Sequence, residues 1–135
     1  MTFHLLIITP NQKVFEGNVD LLNVMTSAGQ MGILAKHTPL LSVVKTSELH
    51  IQEGKKTTYF ATSGGVVSVQ REKVLLLLDT IERADQIDLN RAKESLKRAE
   101  ERLKEKTEKV DEMRAKAAIT RALNRISIKE KYTEI

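Results

Sequence analysis

The sequence contains no cysteine, few aromatic residues and no long apolar run. Without cysteine the chain has no disulfides, no thiolate metal ligands and no thiol nucleophile, which fits a reducing, cytoplasmic setting. Aromatic residues make up 4% of the chain, so it lacks a platform on which nucleic-acid bases could stack. No apolar run approaches the roughly 20 residues that a membrane-spanning helix needs, and the N-terminus lacks the features of a signal peptide. We therefore expect any link to a membrane to come through partners.

The short motifs of common catalytic sites are also missing. The chain contains neither a GxxxxGK[ST] phosphate loop nor a GxSxG nucleophile turn. His4, His37 and His50 stand in separate segments without the spacing of metal ligands. No pair of carboxylates is placed at a rigid strand end beside a pocket. The sequence therefore predicts no catalytic residue and no metal site, and turnover by the isolated chain would be the sign of an enzyme.

Charge is distributed unevenly along the 135 residues. The net charge of +4 permits nucleic acid, anionic lipid or nucleotide as partners without choosing among them. Up to Leu78 the chain is rich in Val, Ile, Leu, Thr and Gly, whereas charged residues crowd in from Asp85 onward. This shift in composition predicts one boundary, which divides the chain into a first domain, residues 1–84, and a second, residues 85–135.

The first 84 residues alternate between short apolar runs and turn signals, as a sandwich or barrel does. The predicted strands are FHLLIIT, VFEGNVDLLNVMT, MGIL, LLSVV, SELHIQ, TTYFAT, VVSVQ and KVLLLLDT. EGKK and SGG are predicted to be tight hairpin connections, QREK a similar link without glycine, and Gly17 a bulge or bend. Eight or so strands must form two stacked sheets to bury their inner faces.

From Leu89 the apolar period changes to that of a helix. One apolar seam is formed by Leu89, Ala92, Leu96, Ala99 and Leu103. After the polar stretch KEKTEK a second helix is predicted, with Asp111 as its N-cap. Its predicted seam is Val110, Met113, Ala117 or Ala118, Ala122 and Ile126. Two amphipathic helices joined by a short polar stretch predict an antiparallel hairpin.

Thin seams rich in alanine make this hairpin marginal by itself, because alanine contributes little transfer free energy. The three-and-four spacing also continues past Leu103 and is broken only at Lys106, so one long helix is the alternative. Two arrangements of similar free energy would form a switch.

The segment IDLNRA, residues 87–92, opens the first helix. In the simplest interpretation Asp88 is the N-cap, Arg91 a solvated neighbour and Ala92 a core position. The arginine spacing adds a second interpretation. Arg91 and Arg98 are seven residues apart and share one helix face.

Arg114, Arg121 and Arg125 share a face of the second helix, and the two faces would converge if the helices fold back on each other. Clustered guanidiniums repel one another unless an anion lies among them, and their planar forks suit phosphate oxygens. A polyphosphate is thus a reasonable ligand, with a solvated basic face as the alternative. A nucleic-acid-binding module would use the same face, but its affinity would fall steeply with salt.

Residues 28–41, AGQMGILAKHTPLL, resemble the EGxxGILPxHxPLL signature of the epsilon subunit of F-type ATP synthases. The resemblance extends in the same order through FHLLIITPNQKVFEG, ATSGGVVSV, KVLLLLDTIERADQIDLNRA and RALNRISI, so it covers essentially the whole chain. The sequence departs from the signature at Ala28 and Gln30, where glutamates are common, and at Ala35, where proline is common.

The resemblance implies a ten-stranded β-sandwich over residues 1–84 followed by a two-helix antiparallel hairpin over residues 85–135. It implies a non-catalytic rotor subunit of the central stalk, which couples proton flow to ATP synthesis and lies peripherally at the cytoplasmic face of the bacterial plasma membrane. The sandwich would bind the gamma subunit and rest on the ring of c subunits, without inserting into the membrane and without binding nucleic acid. The implied ring contact is Ala28, Gly29, Gln30 and Met31.

Bacterial members of the family carry I/L-D-x-x-R-A as an ATP-binding motif, which Ile87, Asp88, Arg91 and Ala92 match at each fixed position. The resemblance also implies that further residues surround the nucleotide, namely Glu82, Arg98, Arg121 and Arg125. ATP, with or without magnesium, would be a regulatory ligand that holds the hairpin folded. Without ATP the helices would extend towards the alpha and beta subunits and inhibit ATP hydrolysis.

Overall fold

A computed structural model describes residues 1–105 and 109–132 of the chain. The chain divides into two compact units, residues 1–83 and residues 84–135. The first unit contains ten strands: β1 Phe3–Thr9, β2 Gln12–Val19, β3 Leu21–Thr26, β4 Gly29–Ile33, β5 Leu40–Val44, β6 Ser47–Glu53, β7 Lys56–Thr62, β8 Gly65–Val69, β9 Lys73–Leu78 and β10 Ile81–Arg83. The second contains a 3-10 turn, Ala84–Gln86, and two helices, α1 Leu89–Glu105 and α2 Lys109–Tyr132.

The strands follow the order β10-β7-β6-β3-β5-β8-β9-β1-β2, with β4 paired to β3. All neighbours are antiparallel except β1 and β9. β3 pairs with β6 through Leu21–Asn23 but meets β5 only where Thr26 lies opposite Val44. The ladder is therefore weakest at β3, and there the sheet turns over into its second layer. The ten-stranded sandwich implied by the resemblance is confirmed.

In most strands, alternation of buried and outward side chains places one apolar row in the core, as a period of two requires. β10 has no buried residue, and only Val19 of β2 is buried. In β1 the buried residues are Phe3, Leu5 and Ile7, each 7% exposed or less. The other fully buried apolar side chains of the sandwich are Val19, Leu22, Val24, Ile33, Leu49, Ile51, Val67 and Leu76. Each stabilises the sandwich by roughly 1.5 to 3 kcal/mol through transfer from water.

Three strand predictions were wrong in detail. VFEGNVDLLNVMT forms two strands, and Asp20 between them donates its backbone N–H to Gln52 O at 2.8 Å. The bulge lies at Val14, where the β1–β2 register skips a residue, whereas Gly17 pairs regularly with Leu5. The short strand β10 was missed, because the segment IER carries only one strand-forming residue, Ile81.

The SGG segment is not a hairpin, because β7 and β8 are not neighbours in the sheet. It connects the β6–β7 part of the sheet to the β5–β8 part. Gly64 has φ 112°, and a Cβ there would lie 2.8 Å from Val44 O. Both the backbone angle and the lack of space for a Cβ require glycine at position 64. A tight hairpin makes the same demand, so the sequence cannot distinguish a hairpin from a connection between two parts of the sheet.

The two helices form a hairpin in which Lys129 of α2 donates to the backbone oxygen of Asp85, just before α1, at 3.0 Å. The end of α2 therefore lies beside the start of α1, and the helices are antiparallel. The predicted seam of α1 is confirmed, since Ala92 and Ala99 are fully buried and the three leucines are half-buried. The connection at residues 106–108 and the side chain of Val110 lie outside the described residues.

The predicted seam of α2 was partly wrong. Ala122 is buried as predicted, and Ala118 and Ile126 are half-buried, whereas Met113 is 64% exposed and Ala117 is exposed. Among the described side chains of α2, the other buried positions are Ala115 and Ile128. Counted back from Glu105, where α1 ends, and forward from Lys109, where α2 begins, Ala92 is near the level of Ala122 and Ala99 near that of Ala115. Alanine thus faces alanine across the seam, which lets the two backbones approach closely.

Asp111 lies in the first turn of α2, which begins at Lys109, and so it is not the N-cap. Its carboxylate still interacts favourably with the helix dipole in that position. Neither helix has the length and hydropathy of a membrane span within the part of the chain that the structure describes.

Candidate functional site

The segment IDLNRA forms the start of α1, and its residues divide by burial. Asp88 caps the helix: its Oδ1 accepts the Arg91 backbone N–H at 3.1 Å, and its carbonyl accepts that of Ala92 at 3.0 Å. Ile87 is 3% exposed and Ala92 is fully buried. Asp88 and Arg91 are exposed. Of the four fixed positions of the motif, these two can present polar side-chain groups to a ligand, while Ile87 and Ala92 are buried. Asn90, between them in the segment, is also polar and exposed.

Arginine and lysine occupy opposite sides of the α1 seam. At 100° per residue, Arg91, Arg98 and Arg102 all lie to one side of Ala92 and Ala99. The lysines of the helix lie to the other side, at positions 93, 97 and 104. In α2, Arg114, Arg121 and Arg125 lie to one side of the seam, and Lys109 and Lys116 lie to the other. Lys129, near the end of the helix, lies close to the seam, towards the arginine side.

The antiparallel arrangement brings the two arginine rows to the same side of the hairpin. Two antiparallel helices pack here with their seams facing each other. In that arrangement, residues that follow the seam in the same rotational direction around each helix lie on the same side of the pair. We call the set Arg91, Arg98, Arg102, Arg114, Arg121 and Arg125 the arginine flank. We call Lys93, Lys97, Lys104 and Lys116 the lysine flank. The hairpin's geometry is thus consistent with the convergence expected from spacing, which stays a prediction.

Axial levels divide the arginine flank into two groups. Counted from the adjacent ends of the two helices, Glu105 and Lys109, Arg91 is near the level of residue 123, midway between Arg121 and Arg125. These three form the first trio. Their mean level lies beside the start of α1, next to the Asp88 cap.

The second trio is Arg98, Arg102 and Arg114, since Arg114, counted in the same way, is near the level of residue 100 of α1. The mean levels of the two trios differ by nine residues, or about 14 Å at the rise of an α-helix.

The arginine flank gathers six guanidiniums, and the exposed carboxylates of Glu94, Glu101 and Glu105 lie beside it on α1. Five of its members are exposed, and Arg125 is half-buried. Arg98 Nη2 donates to Ser95 Oγ at 3.3 Å. Within residues 1–105 and 109–132, no carboxylate lies within ion-pair distance of Arg91, Arg98, Arg102, Arg114 or Arg121. On the lysine flank, in contrast, Lys116 pairs with Glu112 at 3.0 Å.

Glu82, the remaining residue of the implied nucleotide site, belongs to the sandwich unit. It lies on β10 opposite Ala61 of β7 and is half-buried.

The implied ring contact lies at the turn between β3 and β4. Buried Thr26 fixes this turn, because its Oγ1 donates to Gly29 O at 2.8 Å and accepts the Ala28 backbone N–H at 3.2 Å. Ala28, Gly29 and Gln30 are exposed, whereas Met31 is half-buried and packs against the core. The turn therefore offers a small surface without charge, supported by a rigid hairpin.

An outward apolar face on β5, β8, β9 and β1 was missed by the sequence analysis. Two rows of opposed residues cross these strands: Val43, Val66, Leu77 and Ile8, then Leu41, Ser68, Leu75 and Leu6. Leu41 is 74% exposed, Val43 56% and Leu77 46%. A signal was present in KVLLLL, which is apolar at consecutive positions and therefore on both faces of its strand.

The three histidines lie apart, as expected. His4 Nε2 lies 2.9 Å from Glu16 Oε2, His37 Nδ1 lies 2.8 Å from Thr38 O, and His50 packs against the Tyr59 ring. Among the described residues, no group of three or more His, Asp or Glu side chains could hold a metal ion.

Glu16 is engaged on its other oxygen as well. Lys13 Nζ donates to Glu16 Oε1 at 2.8 Å. The hydrogen bond from Lys13, and then the one from His4, lower the pKa of Glu16.

Comparison with known proteins gives matches along nearly the whole chain. The family model of the ATP synthase delta/epsilon chain β-sandwich domain matches residues 2–84, and that of its long α-helix domain matches residues 85–130. The chain is 40% identical over 129 residues to the ATP synthase epsilon chain of Bacillus mycoides, covering 96% of this chain and 97% of that one. It is 41% identical over 124 residues to that of Desulforamulus reducens, covering 92% and 94%.

Solved structures share the fold. One chain of the Euglena gracilis mitochondrial ATP synthase, in an OSCP/F1/c-ring structure, has a TM-score of 0.79 at 17% identity, over 91% of this chain and 78% of that one. A chain of the Tetrahymena thermophila central stalk and c-ring has a TM-score of 0.66 at 13% identity, over 93% and 95%. With two family models and bacterial relatives near 40% identity across the chain, this protein belongs to the family of ATP synthase epsilon chains, non-catalytic subunits of the central stalk.

Proposed function

We propose that the sandwich is a rotor element that binds the gamma subunit and the c-ring, and that the hairpin binds ATP and regulates ATP hydrolysis. Family membership supports the first half. The single observation that carries the second is the arginine flank, which gathers six guanidiniums from two helices on one side of the hairpin.

The outward apolar face supports a contact with a protein partner. Monomeric proteins rarely expose a contiguous apolar patch of this kind, and patches with polar rims mark interaction sites. Here the rim is polar, because Lys13 and Glu16 of β2 lie beside Ile8 and Leu6. We assign this face to gamma. We assign the uncharged β3–β4 turn, through Ala28, Gly29 and Gln30, to the c-ring.

Leu41→Asp tests the assignment to gamma. The side chain is 74% exposed, so the variant folds, but it places a charge in the apolar face and is expected to abolish assembly with gamma. Leu123→Asp on the hairpin, at a site that is 50% exposed, is the matched control and should assemble normally. If the Leu41 variant assembles normally, gamma binds a different surface of the sandwich.

ATP fits the first trio of the arginine flank. Arg91, Arg121 and Arg125 offer planar forks at one level, and Arg98 lies about two turns further along the same side. Charge-assisted bonds from guanidinium to phosphate are about twice as strong as neutral hydrogen bonds. Asp88 fixes the start of the helix that carries Arg91. The role of Glu82 stays a prediction from the resemblance.

Magnitudes are consistent with a ligand-controlled hairpin. Two exposed guanidiniums about 8 Å apart repel each other by roughly 0.5 kcal/mol in water, and salt reduces this further. Several such pairs cost on the order of 1 to 2 kcal/mol, comparable to what one buried leucine contributes. A ligand at 100 times its dissociation constant stabilises the folded form by about 2.7 kcal/mol. ATP can therefore reverse the balance of a hairpin whose seam is mostly alanine.

In this mechanism ATP binds the folded hairpin better than the extended one, since a ligand shifts an equilibrium only by its differential affinity. When ATP is scarce, repulsion within the arginine flank favours opening. The extended helices then present their arginines to the alpha and beta subunits and inhibit hydrolysis. Magnesium, if bound with ATP, would be coordinated by the phosphates.

Calorimetric titration of ATP into the isolated chain tests the site. Arg91→Ala and Arg121→Ala should each weaken binding roughly 10- to 100-fold, the value of one charge-assisted bond. Lys97→Ala removes the same charge from the lysine flank and should change affinity less than about threefold. Equal losses of ATP affinity in the arginine and lysine variants would indicate a general attraction of polyanions and no specific site. That result would favour the nucleic-acid alternative.

Assembled ATP synthase tests the regulatory step. A chain ending before α1 should raise ATP hydrolysis at low ATP, while Arg121→Ala in the full chain should deepen inhibition by weakening the folded form. If hydrolysis is the same with the truncated chain, the hairpin is not a brake.

A further inference from the structure

The open end of the hairpin, where α1 begins and α2 ends, is joined by a contact outside the alanine seam. Lys129 of α2 donates from Nζ to the backbone oxygen of Asp85 at 3.0 Å. Asp85 lies in the 3-10 turn that comes directly before the Asp88 cap. The buried alanines of the seam that are next along the helices, Ala92 and Ala122, lie about 10 Å further into the hairpin at the rise of an α-helix.

Lys129 occupies a position that is unfavourable for a cation. It follows Arg125 by one helical turn, and like charges at that spacing destabilise a helix. A basic residue in the last turn interacts favourably with the helix dipole, but exposed Lys131 has the same effect from the side away from the seam. Lys129 is half-buried, and its apolar stem lets the ammonium reach α1. The bond to the Asp85 carbonyl gives a reason for a lysine here.

We propose that Lys129 is a positioning residue, a latch that closes the open end of the hairpin and holds the first trio together. The first trio lies between the latch and the alanine seam, with Arg125 one turn from Lys129 on α2 and Arg91 six residues after Asp85. Separation of the helix ends at the latch would carry Arg125 away from Arg91. Closure of the hairpin does not depend on a ligand, whereas the role in ATP binding rests on the proposed function.

A latch and a phosphate contact are different roles for the same ammonium. A latch acts in the chain without ATP, because its partner is a backbone oxygen of the protein. A phosphate contact acts only when ATP is bound. The two roles therefore predict different behaviour of the ligand-free chain.

Three variants isolate the ammonium. Lys129→Met keeps an unbranched apolar stem and removes the charged donor, whereas Lys129→Arg keeps a cationic donor. Lys131→Met is the matched control, since it removes the same charge two residues away. The Lys131 ammonium lies 5.1 Å from the centre of the Tyr132 ring of the same helix.

NMR and hydrogen exchange of the chain without ATP test the latch. In Lys129→Met the carbonyl carbon resonance of Asp85 should shift, because the carbonyl loses a charged donor. The amides of Arg91 and Ala92, which bond to Asp88, should exchange about three- to tenfold faster, the value of one such bond. Lys129→Arg should restore most of the protection. Lys131→Met should leave exchange within about twofold of the unchanged chain.

Calorimetric titration of ATP separates a latch from a phosphate contact. Opening lowers the fraction of hairpins that can bind, so Lys129→Met should weaken ATP binding by no more than the factor by which it speeds exchange. A larger loss of affinity would make Lys129 a phosphate contact and overturn the latch. An unmoved Asp85 resonance, unchanged exchange in Lys129→Met, or equal exchange in Lys131→Met would overturn it as well. If the unchanged chain binds no ATP but Lys129→Met still exchanges faster, the nucleotide proposal fails and the latch stands.

Discussion

Enlarging one seam alanine of α2 should open the hairpin, whereas enlarging an exposed alanine two residues away should not. Ala115 is 1% exposed and near the level of fully buried Ala99 of α1. A leucine there has no space between the backbones and must push the helices apart. Overpacking of this kind costs about 1 to 3 kcal/mol. Ala117→Leu is the matched control, because Ala117 is exposed and the two residues differ little in helix propensity.

Hydrogen exchange measured by mass spectrometry gives the readout, with the α1 amides as reporters because they lie in the helix that is not mutated. Ala115→Leu should raise α1 exchange about 5- to 150-fold, the range that corresponds to 1 to 3 kcal/mol. Ala117→Leu should leave it unchanged. Equal exchange in the two variants, or faster exchange only in Ala117→Leu, would refute the seam. ATP affinity should follow, falling with Ala115→Leu alone, because a ligand that requires the folded hairpin must supply the closing free energy.

Two further predictions concern the sandwich. In urea unfolding, Gly64→Ala should destabilise the sandwich by about 1 to 3 kcal/mol more than Gly29→Ala. Both glycines have φ near 115°, but only a Cβ at Gly64 would meet the backbone, at 2.8 Å. Similar losses of stability in the two variants would show that the backbone angle alone decides. Glu16→Gln should be less stable than the unchanged chain at pH 7. The lowered pKa of Glu16 makes its contribution present above its ordinary value of 4.5 and lost as pH falls through the folded pKa, so the stability curves should merge in acid; a difference that persists there would exclude ionisation as its cause.

Period and turn chemistry located most elements. The apolar period of α1 predicted its seam correctly, since the spacing of Leu89, Ala92, Leu96, Ala99 and Leu103 admits one buried side. In α2 several alanines and a methionine allowed more than one seam, and the facing helix selected Ala115 over Met113. The SGG segment predicted the need for glycine but not which strands it joins, because a crossing and a hairpin make the same demand on the backbone.

The candidate sites divide in the same way. IDLNRA predicted the cap at Asp88 from residue type and position alone, because capping is local. The outward apolar face was not predictable from single strands. Leu41 and Leu77 lie in separate segments, and β8 brings them to one face through the register of the sheet.

The sequence by itself determined most of the strands, both helices, where the composition changes, and that each helix carries its arginines on one face. These properties depend on neighbours a few residues apart, and the period of the element fixes them. Only the tertiary structure decided that the two arginine rows share one side and divide into two trios. That outcome depends on the direction and axial register of the helices, which no local pattern encodes. The bond from Lys129 to the Asp85 carbonyl shows that the helices are antiparallel.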